Sequence, residues 1–303
     1  MNGTPSRRDF IKTTLAGAGA ALAAPSLLAQ EAKPITARRA SDLVTIGKTG
    51  VKPSFLAQGT GFNGSARSSD HTRMGMEAFD RLLRHGMDNG ITFIDTADLY
   101  GTHSYIRATI KGLPRDKFVL LTKLWPRKEY WNVPSGGAEE EINRYRRETG
   151  VEVIDICLIH CAINDQWTAE YAGIRDGLAK LKEKGGVRAV GVSCHDFGAL
   201  KVAASDPWTD VIFARINHKG GKQYSMDGPV EEVAQTLKTA RANGKFVVGM
   251  KIFGAGKLTG AEDKDASLKY VFSNQLVDAV TIGMRKTEEV DDTVARINAA
   301  LKG

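Results

Sequence analysis

Three cysteines in 303 residues are too few to hold a fold together with disulfides, so a buried apolar core must do so. Only 9 prolines are present, and 25% charged residues stand against 42% hydrophobic ones; this balance excludes collagen, coiled coil and disordered polymer. It suits a soluble globular chain with one large core or two small ones. Also missing is a basic stripe interleaved with aromatics. Lysine and arginine number 42 against 35 acids. Arg7, Arg8 and Lys12 against Asp9 place two of those seven surplus charges in the first 29 residues. The remaining five are scattered, which suits an anionic small molecule and argues against nucleic acid as a partner. No apolar run reaches the about 20 residues of a membrane-spanning helix.

The most apolar stretch, Leu15 to Ala29, is rich in small residues, follows a basic start and gives way to polar Gln30, Glu31 and Lys33. That order reads as an export signal cut after Ala29, with Ala21-Leu22-Ala23 as a second site of suitable spacing. An amphipathic anchor would need a charged helical face, which Gly17, Gly19 and Pro25 do not supply. Ser6-Arg7-Arg8-Asp9-Phe10-Ile11-Lys12 closely resembles the twin-arginine signal of bacterial export. The resemblance implies recognition by the twin-arginine machinery, passage in a folded state and a periplasmic location. The expected organisation is a signal over 1–29, a linker over 30–41 and a folded domain over 42–303.

Within that domain, β-rich runs recur with helical patterns between them. They are Phe55–Gly61, Ile91–Asp98, Phe118–Trp125, Val153–His160, Val187–Cys194, Val211–Asn217, Phe246–Phe253 and Ala279–Met284. Phe79, Leu82, Leu83 and Gly86, and likewise Val230, Val233, Ala234 and Leu237, repeat at i, i+3, i+4, i+7, the stripe of a helix covering a sheet. Strict alternation of strand and helix demands parallel strands with right-handed crossovers. Eight units in about 250 residues predict a closed (β/α)8 TIM barrel. A doubly wound sheet would open on a glycine-rich phosphate turn, whose spacing Gly59-Thr60-Gly61-Phe62-Asn63-Gly64 misses. Residues 42–52 read as an N-terminal β-hairpin turning at Lys48-Thr49-Gly50 and closing the barrel floor.

Such barrels carry their chemistry at the C-terminal strand ends. Those ends supply Asp95 from strand two, Lys123 from strand three and His160 from strand four. Pairing Asp95 with Lys123 would offset the cost of burying each charge alone. Tyr100 follows Asp95 by five positions, in the loop that leaves the same strand. A phenol titrates near ~10, so proton donation near pH 7 asks for a neighbouring cation; a shift of ~2 units corresponds to ~2.7 kcal/mol. Lys123 is the available cation, Asp95 would hold it in place, and His160 would orient a carbonyl through a ring N–H. These four residues read as a general-acid site for carbonyl reduction.

Gly90-Ile91-Thr92-Phe93-Ile94-Asp95-Thr96-Ala97-Asp98-Leu99-Tyr100-Gly101 resembles the central motif of the aldo-keto reductases. Asp95, Tyr100, Lys123 and His160 match that family's catalytic tetrad in order and context, and the similarity runs from near residue 42 to the last helix. The resemblance implies a barrel that binds NADP, with NAD as the alternative. It moves hydride between nicotinamide and an aldehyde or ketone, in either direction, with Tyr100 as proton donor. It assigns cofactor contacts to Thr60 and Gly61 after strand one, and to Asp95 at the ribose. Ser193 and Cys194 end strand five, with cysteine where relatives carry asparagine. Gly254, Ala255, Gly256 and Lys257 belong to the loop over the pyrophosphate, and Gly283, Met284, Arg285 and Lys286 to the adenosine phosphate site. Arg285 and Lys286 favour a 2′-phosphate, while Glu288, Glu289, Asp291 and Asp292 push the other way. Lys251 falls where many relatives stack an aromatic on nicotinamide, and Tyr105 where they commonly carry a carboxylate. The glutamine that ends strand six in relatives has no evident counterpart.

Two rival readings remain. A metal-dependent hydrolase could use His160, His195 and His218, which end or follow strands four, five and six. Strand one offers no histidine, however, and Lys123 would repel a divalent cation, so no metal is expected. A nucleotide-holding barrel with little turnover gains weight from export, because a periplasm is not expected to recycle NADPH. Cys157 and Cys161 lie four strand steps apart, ~13 Å on a straight strand. That exceeds the ~7 Å a disulfide tolerates, so these two and Cys194 read as packing residues. Tyr130, Trp131 and Trp167 either line the mouth or pack its loops.

Overall fold

Runs rich in branched side chains become eight parallel strands: β1 (Leu56–Gly59), β2 (Phe93–Asp95), β3 (Val119–Leu124), β4 (Ile154–Ala162), β5 (Val187–Cys194), β6 (Val211–Arg215), β7 (Phe246–Met250) and β8 (Ala279–Gly283). The computed structural model describes residues 34–127 and 137–302, and its strands close in sequence order, with β8 pairing back to β1. This is the expected (β/α)8 barrel. The signal reading falls on residues outside those described, as do Tyr130 and Trp131. Among the described residues, no helix is long and apolar enough to cross a membrane.

The helix Met76–Asp88 buries Phe79, Leu82, Leu83 and Gly86, and the helix Val230–Ala242 buries Val233, Ala234 and Leu237, so both apolar stripes face inward as their spacing predicts. Expected strand ends differ by a few residues. Only Phe93–Asp95 of Ile91–Asp98 is strand, because the chain then tightens into the 3-10 turn Asp98–Tyr100. β4 instead runs on to Ala162, but its register on β5 shifts between Ile159 and Ala162, and Cys161 adopts φ 58°. Strand four is therefore not straight at its active end. Cys157 and Cys161 are nonetheless both free thiols.

The floor is built as the hairpin reading predicts, with Val44 N–H donating to Pro53 O at 2.9 Å and Ile46 N–H to Val51 O at 3.1 Å. Ile46, Val51 and Phe55 are buried beneath the strands. Residues 34–41 do not behave as a free linker. Ile35, Ala37 and Ala40 are buried, and Ala40 N–H donates to Asn298 Oδ1 at 2.7 Å.

Carboxylates clamp neighbouring strands near the floor. Asp155 accepts from Leu120 N–H, Asp210 from Val190 N–H and Asp278 from Val247 N–H, at 2.7–2.9 Å. Arg115, Lys182 and Arg241 respectively balance their charges. Opposite them, the mouth is left free for chemistry.

Strand spacing leaves no tolerance at Gly191. A Cβ there would lie 1.9 Å from the Val211 carbonyl oxygen on β6. Gly191→Ala must push β5 from β6 and is expected to cost about 1–3 kcal/mol, read as a lower urea midpoint. An unchanged midpoint would show that the two strands part without penalty.

Candidate active site

β2 ends at Asp95, and parallel register sets it beside Gly59 of β1 and Leu121 of β3. Two residues further along β3 stands Lys123, only 1% exposed. Its ammonium donates to Asp95 Oδ1 and, at 2.9 Å, to the Thr96 carbonyl. The other carboxylate oxygen, Oδ2, accepts from the Thr281 hydroxyl of β8 at 2.7 Å. The buried ion pair is thus fixed from three strands, which is the condition for retaining charge in a dry interior.

Tyr100 ends the 3-10 turn, and its ring meets that of His160 edge-on, with centroids 5.5 Å apart and planes at 85°. Gly61 and Gly64 pass so close that a Cβ on either would fall 2.3 or 2.6 Å from the Tyr100 ring, so glycine is required on both sides of Phe62. Lys123 Nζ lies 4.9 Å from the Tyr100 ring centroid, held by Asp95 and Thr96 rather than by the phenol. This corrects the expected lowering of the tyrosine's pKa by lysine. Burial, reinforced by the charge of Asp95 and by Cys161, pushes the phenol well above its ordinary 10. Tyr100 therefore keeps its proton at neutral pH, and among the described residues its hydroxyl has no hydrogen-bond partner.

His160 is buried between the rings of Tyr100 and Trp125, with centroid distances of 5.5 Å to each. Burial and the charges of Lys123, Arg127 and Lys251 hold its pKa well below 6.5, so the imidazole is neutral and carries one N–H. His195 is likewise kept neutral, by burial and then by Arg215. Arg215 donates to His195 Nδ1 at 2.7 Å, which leaves the proton on Nε2, 3.2 Å from the Ser193 hydroxyl. His218 turns away toward Asp263, so the three strand-end histidines do not converge as a ligand set. Asp98, His103 and Glu148 do approach one another, but Arg67 and Arg144 already occupy the two carboxylates. That cluster braces the turn carrying Tyr100.

A groove enclosing about 360 Å³ runs from Asp95, Tyr100 and Lys123 past Gly61, Phe62, Ala255, Gly256, Gly283 and Met284 to Arg285. The remaining expected cofactor residues fare differently. Thr60 is buried, its hydroxyl spent on the Asp95 carbonyl at 2.9 Å and on Thr102 at 3.0 Å. Ser193 and Cys194 are buried and do not line the groove, since Ser193 turns to His195. Gly254, Lys257 and Lys286 also lie off it.

The sequence reading missed Phe62, whose ring reaches across the groove. A Cβ on Gly256 would lie 2.8 Å from that ring and one on Gly283 3.3 Å. Arg285 stacks on the same ring at 4.6 Å and pairs with Asp70 at 3.3 Å. Also missed were Thr281 and Arg215, the last residue of β6, where the sequence showed no counterpart of the relatives' glutamine. Trp167 is fully buried and donates to Ala199 O at 3.3 Å, so it packs against the helix Phe197–Ser205. Tyr105 donates its hydroxyl to Thr72 O at 3.1 Å instead of supplying a carboxylate.

The sequence profile of the Aldo/keto reductase family matches residues 59–269, most of the chain and a span that includes Asp95, Tyr100, Lys123 and His160. The chain belongs to this family. An aldo-keto reductase from Mycolicibacterium smegmatis is 32% identical over 122 residues, 40% of this chain and 40% of that protein. The matches span 40–44% of the length of the first three curated relatives. Among solved structures, a Pseudomonas aeruginosa protein assigned to the aldo-keto reductases superposes with a TM-score of 0.69 at 22% identity, covering 86% of this chain and 96% of that one. A Klebsiella pneumoniae aldo-keto reductase in complex with NADPH gives 0.61 at 20% identity, covering 86% and 90%. Likeness at these identities speaks for the shared fold.

The groove of this aldo/keto reductase family member suits an extended nucleotide. Gly256 and Gly283 expose backbone beneath the Phe62 side chain, and Arg285 offers a cation at the far end. Small residues at such points let main-chain N–H groups approach an anion closely.

Proposed function

We propose that the chain is a nicotinamide-dependent oxidoreductase that reduces an aldehyde or ketone to an alcohol, or runs the reverse. The observation that carries this reading is the convergence of a protonated Tyr100 and the buried Lys123–Asp95 pair at one end of a long groove, with the neutral His160 ring set edge-on against the phenol. Bound NADPH would supply the reducing equivalent to the carbonyl carbon. Tyr100 gives its proton to the carbonyl oxygen and regains one from water, and the neutral His160 donates its ring N–H to the same oxygen. Lys123 stabilises the charge that develops on the phenol oxygen, and Asp95 with Thr281 holds that ammonium in place.

In this reading Gly61, Ala255, Gly256, Gly283, Met284 and Arg285 hold the nucleotide, with Arg285 facing a 2′-phosphate. The reading includes export by the twin-arginine route to the periplasm, as Ser6–Lys12 suggests, with the nucleotide already seated. The direct test is titration of the mature protein with NADPH by tryptophan quenching, after release of any co-purified nucleotide, followed by carbonyl-dependent NADPH oxidation. Failure to bind either NADPH or NADH overturns it. Arg285→Ala is expected to lower the NADPH-over-NADH binding preference about tenfold, the effect of losing one charge-assisted contact to phosphate. An unchanged preference would remove the assignment of NADP over NAD.

A further inference from the structure

The inner end of the groove holds more positive charge than the tetrad uses. Lys123 is matched by Asp95, and Arg215 by Asp227 at 2.9 Å. Lys251, the residue after β7, lines the same cavity as Tyr100, Asp95 and Lys123. Yet among the described residues its ammonium has neither a carboxylate partner nor a hydrogen bond. The site is built rather than incidental, because Lys251 sits at φ 58°, a left-handed conformation that non-glycine residues rarely adopt. Gly254 N–H, at 2.8 Å, and the buried amide of Asn217, at 3.4 Å, donate to its carbonyl and hold it there.

The surroundings favour an anion. Burial, with Arg215 and Lys123 nearby, pulls the Lys251 ammonium below its ordinary pKa, and Asp95, the opposing acid, is already committed to Lys123 and Thr281. Phe213 and Met250 supply apolar walls beside it. A half-desolvated cation against apolar walls is satisfied best by a compact singly charged group that brings its own hydrogen-bond acceptors.

We propose that Lys251 is the receptor for a carboxylate on the substrate, so that the compounds reduced at Tyr100 are carbonyl acids rather than neutral aldehydes or ketones. The inference rests on the carbonyl-reducing reading of the tetrad. Lys251 here is a specificity determinant, separate from the proton donor.

The test compares phenylglyoxylate with its methyl ester and 4-carboxybenzaldehyde with its methyl ester, pairs in which esterification removes the charge and adds one methyl group. The wild-type chain is expected to favour at least one acid over its ester in kcat/KM by about tenfold or more. Lys251→Met should erase that ratio, and Lys251→Arg should keep most of it. Benzoate, which carries a carboxylate and no reducible carbonyl, is titrated in parallel by tryptophan quenching, since Trp125 adjoins His160; its binding should weaken about tenfold in Lys251→Met.

Equal rates on acids and esters, with the ratio unmoved by Lys251→Met, overturn the inference and leave the reductase reading intact. Loss of NADPH affinity in Lys251→Met with the acid preference unchanged overturns it too, because the cation would then serve the nucleotide. If the wild type reduces none of the four but binds benzoate through Lys251, the reductase reading falls and the anion site stands. No reduction and no Lys251-dependent benzoate binding overturn both.

Discussion

Tyr100→Phe is expected to lower steady-state carbonyl reduction by about two to four orders of magnitude while NADPH still binds. Among the described residues the phenol is the group that combines a retained proton, a place in the groove lining and a nearby ammonium to receive the charge it leaves behind. His160 cannot replace it, because the neutral imidazole that burial and three cations enforce is a hydrogen-bond donor but a poor acid. The ring of phenylalanine fills the same space against Gly61, Gly64 and His160, so packing is preserved and the loss reports the proton. A variant that keeps more than a tenth of the wild-type rate would assign the proton to another group.

Asp95→Asn should harm both stability and turnover, and the double variant Asp95→Asn/Lys123→Met should separate the two. Removing one partner leaves the Lys123 ammonium buried without a counter-ion, a loss expected at about 3–5 kcal/mol in urea unfolding. Thr281 still has an amide oxygen to donate to, so the loss reports charge more than hydrogen bonding. Replacing the lysine as well by an apolar side chain of similar length should recover much of the stability, as buried pairs do when both charges go. Activity should not return, because the phenolate produced at Tyr100 would have no cation beside it. If the double variant is as unstable as Asp95→Asn, the penalty lies in the hydrogen bonds to Thr96 and Thr281 rather than in the orphaned charge.

The barrel was legible because its signal is local and repeated. β5 occupies Val187–Cys194 as read, and the helix stripes at Phe79–Gly86 and Val230–Leu237 bury the faces their spacing predicts. Short strands such as Phe93–Asp95 were overrun, since an apolar run does not record where the backbone tightens into a 3-10 turn. The candidate site residues stood out for a different reason: three unlike polar residues stood at strand ends, where a packed barrel has little use for them, and Tyr100 followed in the turn after β2.

The cofactor contacts were read less evenly. Thr60 and Ser193 have the right chemistry at the right ends, but a hydroxyl takes whichever hydrogen-bond partner the fold brings nearest. Asp95 O and His195 Nε2 claimed them. Trp167 offered a large apolar ring, and it is fully buried against the helix Phe197–Ser205.

The sequence by itself determined which residues are present at the strand ends and that these ends meet, since eight alternating strand–helix units in about 250 residues, with no glycine-rich phosphate turn, point to a closed parallel sheet. What only the tertiary structure decided is the state of each group there. Tyr100 holds its proton, His160 stays neutral and, among the described residues, Lys251 faces the cavity without a counter-ion. Desolvation and Coulomb energy depend on distances to groups far away in the chain, such as Thr281, 186 residues beyond Asp95, and no local pattern records those distances.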